Sequence, residues 1–160
     1  MRASYAASNI GARPNTITYG ATMYAWARSG REDAANQAVA LLEDMEDMCK
    51  AGDWDVGPSW AAYNATLNSL SMSGTEKSAR GAESLLRRME ELFRSGDDGY
   101  SDMRLDAISY TSVMKAWAGC WSRAAPQRAK KIIRHMRDLR DSGNAAAGPD
   151  TVAYNTALKA

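Results

Sequence analysis

The sequence predicts an all-α fold: an α-solenoid of tandem helix-turn-helix repeats, with three full repeats plus the first helix of a fourth. Three observations carry that expectation. Tyrosines recur at Tyr19, Tyr63, Tyr110 and Tyr154, spaced 44, 47 and 44 residues apart. Counted forward from the first three, the same residue types return at fixed offsets. They are Trp26, Leu70 and Trp117, then Ala38, Ala82 and Ala129, then Leu41-Leu42, Leu85-Leu86 and Ile132-Ile133. Met45, Met89 and Met136 follow, then Met48, Leu92 and Leu139, and finally Gly52, Gly96 and Gly143. Within each unit the apolar residues fall at helical spacing. A helical pair with one apolar stripe per helix cannot bury that stripe alone, so stacked copies must supply the core.

The units divide the chain into an upstream or irregular segment 1–15, repeats 16–59, 60–106 and 107–150, and a partial repeat 151–160. The leading helix of each repeat is expected over Thr16–Ser29, Trp60–Ser73 and Ala107–Gly119. Tyr19, Met23 and Trp26 mark its i, i+4, i+7 face. Ser29-Gly30 and Ser73-Gly74 end the first two, because glycine tolerates the left-handed conformation that closes a helix. Cys120-Trp121 stands there in the third repeat. The second helix is expected over Asp33–Ala51, Glu76–Ser95 and Pro126–Ser142. Pro126 suits a first helical turn, where its missing N–H costs nothing. Ala38, Leu41, Leu42, Met45 and Met48 form the stripe, and Gly52, Gly96 and Gly143 close the element. Tyrosine, tryptophan and methionine at these offsets are core residues rather than a cofactor box.

Composition narrows the function. The chain has 160 residues, 45% apolar and 24% charged, with a net charge of +1, which suits one globular domain and not a disordered chain. No run reaches the roughly 18 apolar residues of a membrane span, so membrane insertion is not expected. Cys49 and Cys120 are too few for a disulfide framework or a structural zinc site, and His135 is the single histidine. Nothing near His135 supplies a nucleophile, and no Walker loop, GxGxxG, HExxH or CxxC occurs. An enzyme is therefore not expected, nor a metal, a cofactor or a small-molecule substrate. Residues 1–13 carry arginine, serine and alanine but no acid, a faint likeness to a transit peptide that is too short to decide anything.

The segments Pro14-Asn15-Thr16-Ile17-Thr18-Tyr19, Asp106-Ala107-Ile108-Ser109-Tyr110-Thr111 and Pro149-Asp150-Thr151-Val152-Ala153-Tyr154-Asn155 resemble the opening of pentatricopeptide repeats. The alanine-rich second helix that ends in methionine and then glycine is similar to the remainder of that repeat. The likeness covers about residues 14–160, and it departs from the family in unit length, these units being longer. The excess falls early in the second helix and in the linker. The resemblance implies sequence-specific binding of single-stranded RNA, one base per repeat. It implies that the residue after the tyrosine and the last residue of the repeat select the base. Those are Gly20 with Ser59, Asn64 with Asp106, and Thr111 with Asp150, while Asn155 opens the fourth repeat. It implies that Ile17, Ala61, Ile108 and Val152 pack against the bases. By the family's pairing preferences Asn64 with Asp106 reads uracil and Thr111 with Asp150 reads guanine, giving a 5′-U-G-3′ core with RNA parallel to the chain. Gly20 has no side chain, so the first repeat reads poorly. The resemblance further implies a mitochondrion or plastid, and a role in RNA processing, stability or translation beside other ribonucleoprotein components.

Simpler roles stand beside these. Ser59, Asp106 and Asp150 precede helices, where such residues cap exposed N–H groups. Asn64 and Asn155 fit a solvated helix face. Repeat 1 has 3 basic and 8 acidic residues, repeat 2 has 6 and 8, and repeat 3 has 8 and 3, for net charges of −5, −2 and +5. Only repeat 3 has a basic row, Arg128, Lys130, Lys131, Arg134, Arg137 and Arg140, on a second helix that reads best as a solvated face. The acidic first two repeats favour an alternative, a protein–protein interaction scaffold using the same groove. A third expectation is an accessory RNA-processing enzyme whose catalytic domain lies outside this segment.

Overall fold

A computed structural model describes residues 14–31, 33–96 and 104–160, and the expectation for residues 1–13 lies outside them. Among the described residues the fold is all-helical. Seven α-helices run in chain order: α1 (Thr16–Arg28), α2 (Ala34–Lys50), α3 (Trp60–Met72), α4 (Glu76–Ser95), α5 (Ala107–Gly119), α6 (Ala125–Asp141) and α7 (Thr151–Lys159). None of the described helices is long and apolar enough to cross a membrane.

Capping sets where the leading helices begin. Asn15, Ser59, Asp106 and Asp150, each four residues before its tyrosine, accept the backbone N–H of Thr18, Ala62, Ser109 and Ala153 at 3.0, 3.3, 3.0 and 2.7 Å. The capping role expected of three of these residues is thus present, and Asn15 adds the fourth. Each cap satisfies an N–H that the helix itself leaves unpaired. Gly52, Gly96 and Gly143 all adopt positive φ where the second helices end. The helices α1 to α6 match the expected bounds to within one residue at each end. α6 begins at Ala125, one residue before Pro126, which sits early in the first turn. Asp33 makes no cap bond to α2; its carboxylate is turned back to Arg31 at 3.0 Å.

The turn after α5 resolves the position where the glycine is missing. Gly30 and Gly74 have φ of +65° and +67°, and Trp121, at the same offset from its tyrosine, has +52°. The backbone geometry is kept although a bulky residue occupies it, at a cost of about 1–2 kcal/mol relative to glycine.

Packing follows the sequence order. α1 lies against α3, α3 against α5, and α5 against α7. α2, α4 and α6 each pack on the leading helix of their own unit and on the next leading helix. Met23, Met45, Tyr63, Leu67, Met89, Tyr110, Met114, Trp117 and Met136 are fully buried between them. α5 packs against α3, α4, α6 and α7, and Ser109, Thr111 and Ser112 are buried. The long linkers also contribute to the core. Val56 and Ala147 are buried in short 3₁₀ turns. Thr16 Oγ1 donates to the carbonyls of Asp55 and Gly57, and Asn144 Nδ2 to that of Leu105.

Between the units runs a polar junction. The buried Glu46 of α2 accepts the Tyr63 hydroxyl at 2.6 Å and pairs with Arg88 of α4. At the next junction Glu90 of α4 accepts the Tyr110 hydroxyl at 2.9 Å and meets His135 Nε2 of α6 at 2.9 Å. Burial, then the Glu90 carboxylate, pushes the Tyr110 phenol far above its ordinary value of 10.0, so the hydroxyl stays a donor. At the third junction Arg137 of α6 replaces the glutamate and donates through Nε to the Tyr154 hydroxyl at 3.1 Å.

Candidate nucleic-acid interface

The site begins at the N-terminal turns of the four leading helices. Once a cap fixes the first turn, the second residue of each leading helix occupies one repeated position, two before the tyrosine. Ile17, Ala61, Ile108 and Val152 hold it, and all four are exposed, Ile17 at 78% and Ile108 at 60%. Single exposed apolar residues are ordinary on protein surfaces; here the exposure recurs at one register position in four helices.

The residues after the tyrosines are less uniform. Asn155 is exposed, Gly20 and Asn64 are half-buried, and Thr111 is buried at 6% exposure. Space around Gly20 is open: a side chain there would meet nothing within 4 Å. Thr111 lies under its neighbours because α5 is flanked by both α3 and α7. Its hydroxyl is therefore far less accessible than the carboxamide of Asn155.

One of the three pairs is physically linked. Ser109 Oγ lies 3.0 Å from Asn64 Oδ1 and 3.1 Å from Asp106 Oδ1, joining the two residues where α3 meets α5. A hydroxyl has one proton, so the two acceptors compete for it, and the Asp106 oxygen also holds the α5 cap. Asn64 Nδ2 is sealed from solvent with no hydrogen-bond partner, so the amide has unused donor capacity. Among the described residues no hydrogen bond joins Thr111 to Asp150. Asp150 is exposed and engaged only as the α7 cap.

The charges lie elsewhere. Arg128 pairs with Glu83 at 3.0 Å and sits 5.5 Å from the Trp117 ring centroid, and Arg140 pairs with Asp141 at 2.9 Å. Lys130, Lys131 and Arg134 are exposed on α6 and have no ion pair among the described residues. This basic row is on a second helix, whereas the candidate base-contacting positions are on the leading helices.

Sequence reasoning missed Ser109 and the junction residues Glu46, Arg88, Glu90 and His135. The signal for the latter was available: Glu46 and Glu90 both fall 27 residues after a tyrosine, Arg88 and His135 both 25 after one. The register had been followed through its apolar positions only. Ser109 had no such signal, because the other units have Thr18, Ala62 and Ala153 at its position. Comparison with family models, with curated proteins and with solved structures finds no match to this chain.

Proposed function

We propose that the chain is a pentatricopeptide-like α-solenoid that binds single-stranded RNA through its leading helices, one base per repeat. The observation that carries this reading is the register of three rows on those helices. A capping acceptor, an exposed small or aliphatic residue and a variable residue recur at Tyr −4, −2 and +1. The exposed row offers sites to pack against base faces, and helical repeats can present two or three side chains to one unstacked base. Asn64 with Asp106 is the reading pair best supported, since Ser109 couples the two. Reading a uracil edge with both donor and acceptor requires the Asn64 carboxamide to turn outward, because its Nδ2 is sealed from solvent and its Oδ1 meets Ser109. Buried Thr111 makes repeat 3 the weaker reader. RNA affinity rests largely on phosphate contacts, and the basic row is displaced to α6, so binding by this chain is weak. An organellar role in RNA processing, stability or translation accompanies this reading on the strength of the resemblance alone.

The test is fluorescence anisotropy of short single-stranded RNAs at low salt. An oligonucleotide with a U-G core should bind more tightly than one with G-U, and Asn64→Thr should move the preference at its nucleotide from uracil towards guanine. Indifference of the folded parent chain to swapping U and G would remove the base-reading mechanism. The net charges of −5 and −2 in the first two repeats favour a second reading, a scaffold that holds a protein segment in the same groove. That reading requires RNA binding to be negligible even at low salt.

A further inference from the structure

Asn64 lies on α3 between exposed Ala61 and exposed Asn68, at the helical spacing that puts all three on one face. Its carboxamide is nevertheless drawn against α5. Oδ1 accepts from the Ser109 hydroxyl at 3.0 Å, and Nδ2 is sealed from solvent without a hydrogen-bond partner. Ser109 is itself fully buried. The amide therefore has its acceptor engaged and its donor orphaned, and an orphaned donor away from water is costly.

The Ser109 hydroxyl has a second acceptor within reach, Asp106 Oδ1 at 3.1 Å. Its single proton serves one of the two at a time, and a carboxylate is the stronger acceptor. When the hydroxyl turns to Asp106, nothing holds the Asn64 oxygen on α5. The carboxamide can then rotate onto the face shared with Ala61 and Asn68, where Nδ2 meets water or a base and no group is left orphaned. We propose that Ser109 is a positioning residue that latches the Asn64 carboxamide inward and releases it when its hydrogen bond passes to Asp106. A base edge replaces Ser109 as the partner of the released amide. This inference rests on the reading of Asn64 as a base-selecting residue, and it makes capture of a base at that repeat a gated step.

The register shows why the latch is confined to this repeat. Ser109 stands one residue before its tyrosine, and Thr18, Ala62 and Ala153 stand there in the other units. Ala62 and Ala153 have no hydroxyl to offer the reading positions of the repeats before them, Gly20 and Thr111. Thr18 has one, and its Oγ1 donates to its own cap, Asn15 Oδ1, at 3.1 Å. That bond is the counterpart of the one Ser109 makes to Asp106 in the released state, so the released arrangement is one this fold already adopts in α1.

The experiment follows solvent exchange of the Asn64 side-chain amide by heteronuclear NMR in the free chain, with Asn64→Ala assigning the signal. Alanine already fills the Ser109 position in two units, so Ser109→Ala suits the fold. It should speed the exchange by about three- to tenfold, the weight of one neutral hydrogen bond. Asp106→Asn keeps the cap but competes less well for the Ser109 proton, so it should slow the exchange. In anisotropy at low salt Ser109→Ala should tighten U-G RNA by a similar factor, and by nothing when Asn64→Ala is already present. Unchanged exchange in Ser109→Ala, faster exchange in Asp106→Asn, or the same affinity gain in the Asn64→Ala background would overturn the proposal. Faster exchange in Ser109→Ala with no RNA bound by any of the chains upholds the latch and removes the base-reading function instead.

Discussion

Removing Arg88 isolates the energetics of the first polar junction. Glu46 is 1% exposed and has two partners given by the geometry, the Tyr63 hydroxyl and the Arg88 guanidinium. Arg88→Met leaves the carboxylate buried with the hydroxyl alone. Breaking a fully buried ion pair costs about 3–5 kcal/mol. The Arg88 side chain is 42% exposed, so water can reach one side of the pair and the expected loss falls to about 2–3 kcal/mol. In a chain of this size that lowers the melting temperature by roughly 4–12 °C, at about 2–4 °C per kcal/mol. The triple replacement Glu46→Leu, Tyr63→Phe, Arg88→Met removes the charges and the hydroxyl together, leaving no orphaned polar group. It should therefore be more stable than Arg88→Met alone. Urea unfolding followed by far-ultraviolet circular dichroism measures both. If Arg88→Met unfolds within about 0.5 kcal/mol of the parent, or the triple variant is the less stable of the two, the junction is not a buried compensated charge.

Three further outcomes follow from the same geometry. Trp121→Gly should stabilise the chain by about 1 kcal/mol, since glycine adopts φ of +52° without strain and the lost side chain is 94% exposed; a destabilised variant in the same urea assay would contradict this. Raising the pH through and above about 10 should destabilise the parent chain, because the unfolded Tyr110 phenol ionises there while the folded one, held high by burial, stays neutral. Tyr110→Phe should show a shallower alkaline loss, and equal slopes would refute the assignment. Asp106→Asn should keep the α5 cap and leave stability within about 0.5 kcal/mol, whereas Asp106→Ala should lose about 0.5–2 kcal/mol. If Asp106 also selects a base, Asp106→Asn alone should change RNA preference at that nucleotide; an unchanged preference assigns the residue to capping.

Much of the helix layout was legible in the chain because its signals are local. The glycines that close the second helices, the caps before Tyr63, Tyr110 and Tyr154, and the apolar offsets act within a few residues of themselves. Helix ends consequently fall within a residue of where the sequence puts them. Trp121 was opaque for the converse reason: its own preference opposes the turn, and packing of α5 and α6 imposes the turn regardless. Thr111 and Asn155 occupy the same register position and are chemically similar in sequence. One is buried and the other exposed, because α5 is flanked by leading helices on both sides and α7 on one.

The sequence alone determined that this chain is helical, where its helices lie to within a residue, and which residues recur in register, since those properties depend on capping, backbone conformation and spacing along the chain. Tertiary structure alone decided which recurring residues meet. Glu46 reaches Tyr63 and Arg88, and Ser109 bridges Asn64 and Asp106. Glu46 and Tyr63 are 17 residues apart and Asn64 and Ser109 are 45 apart, separations that no local preference spans.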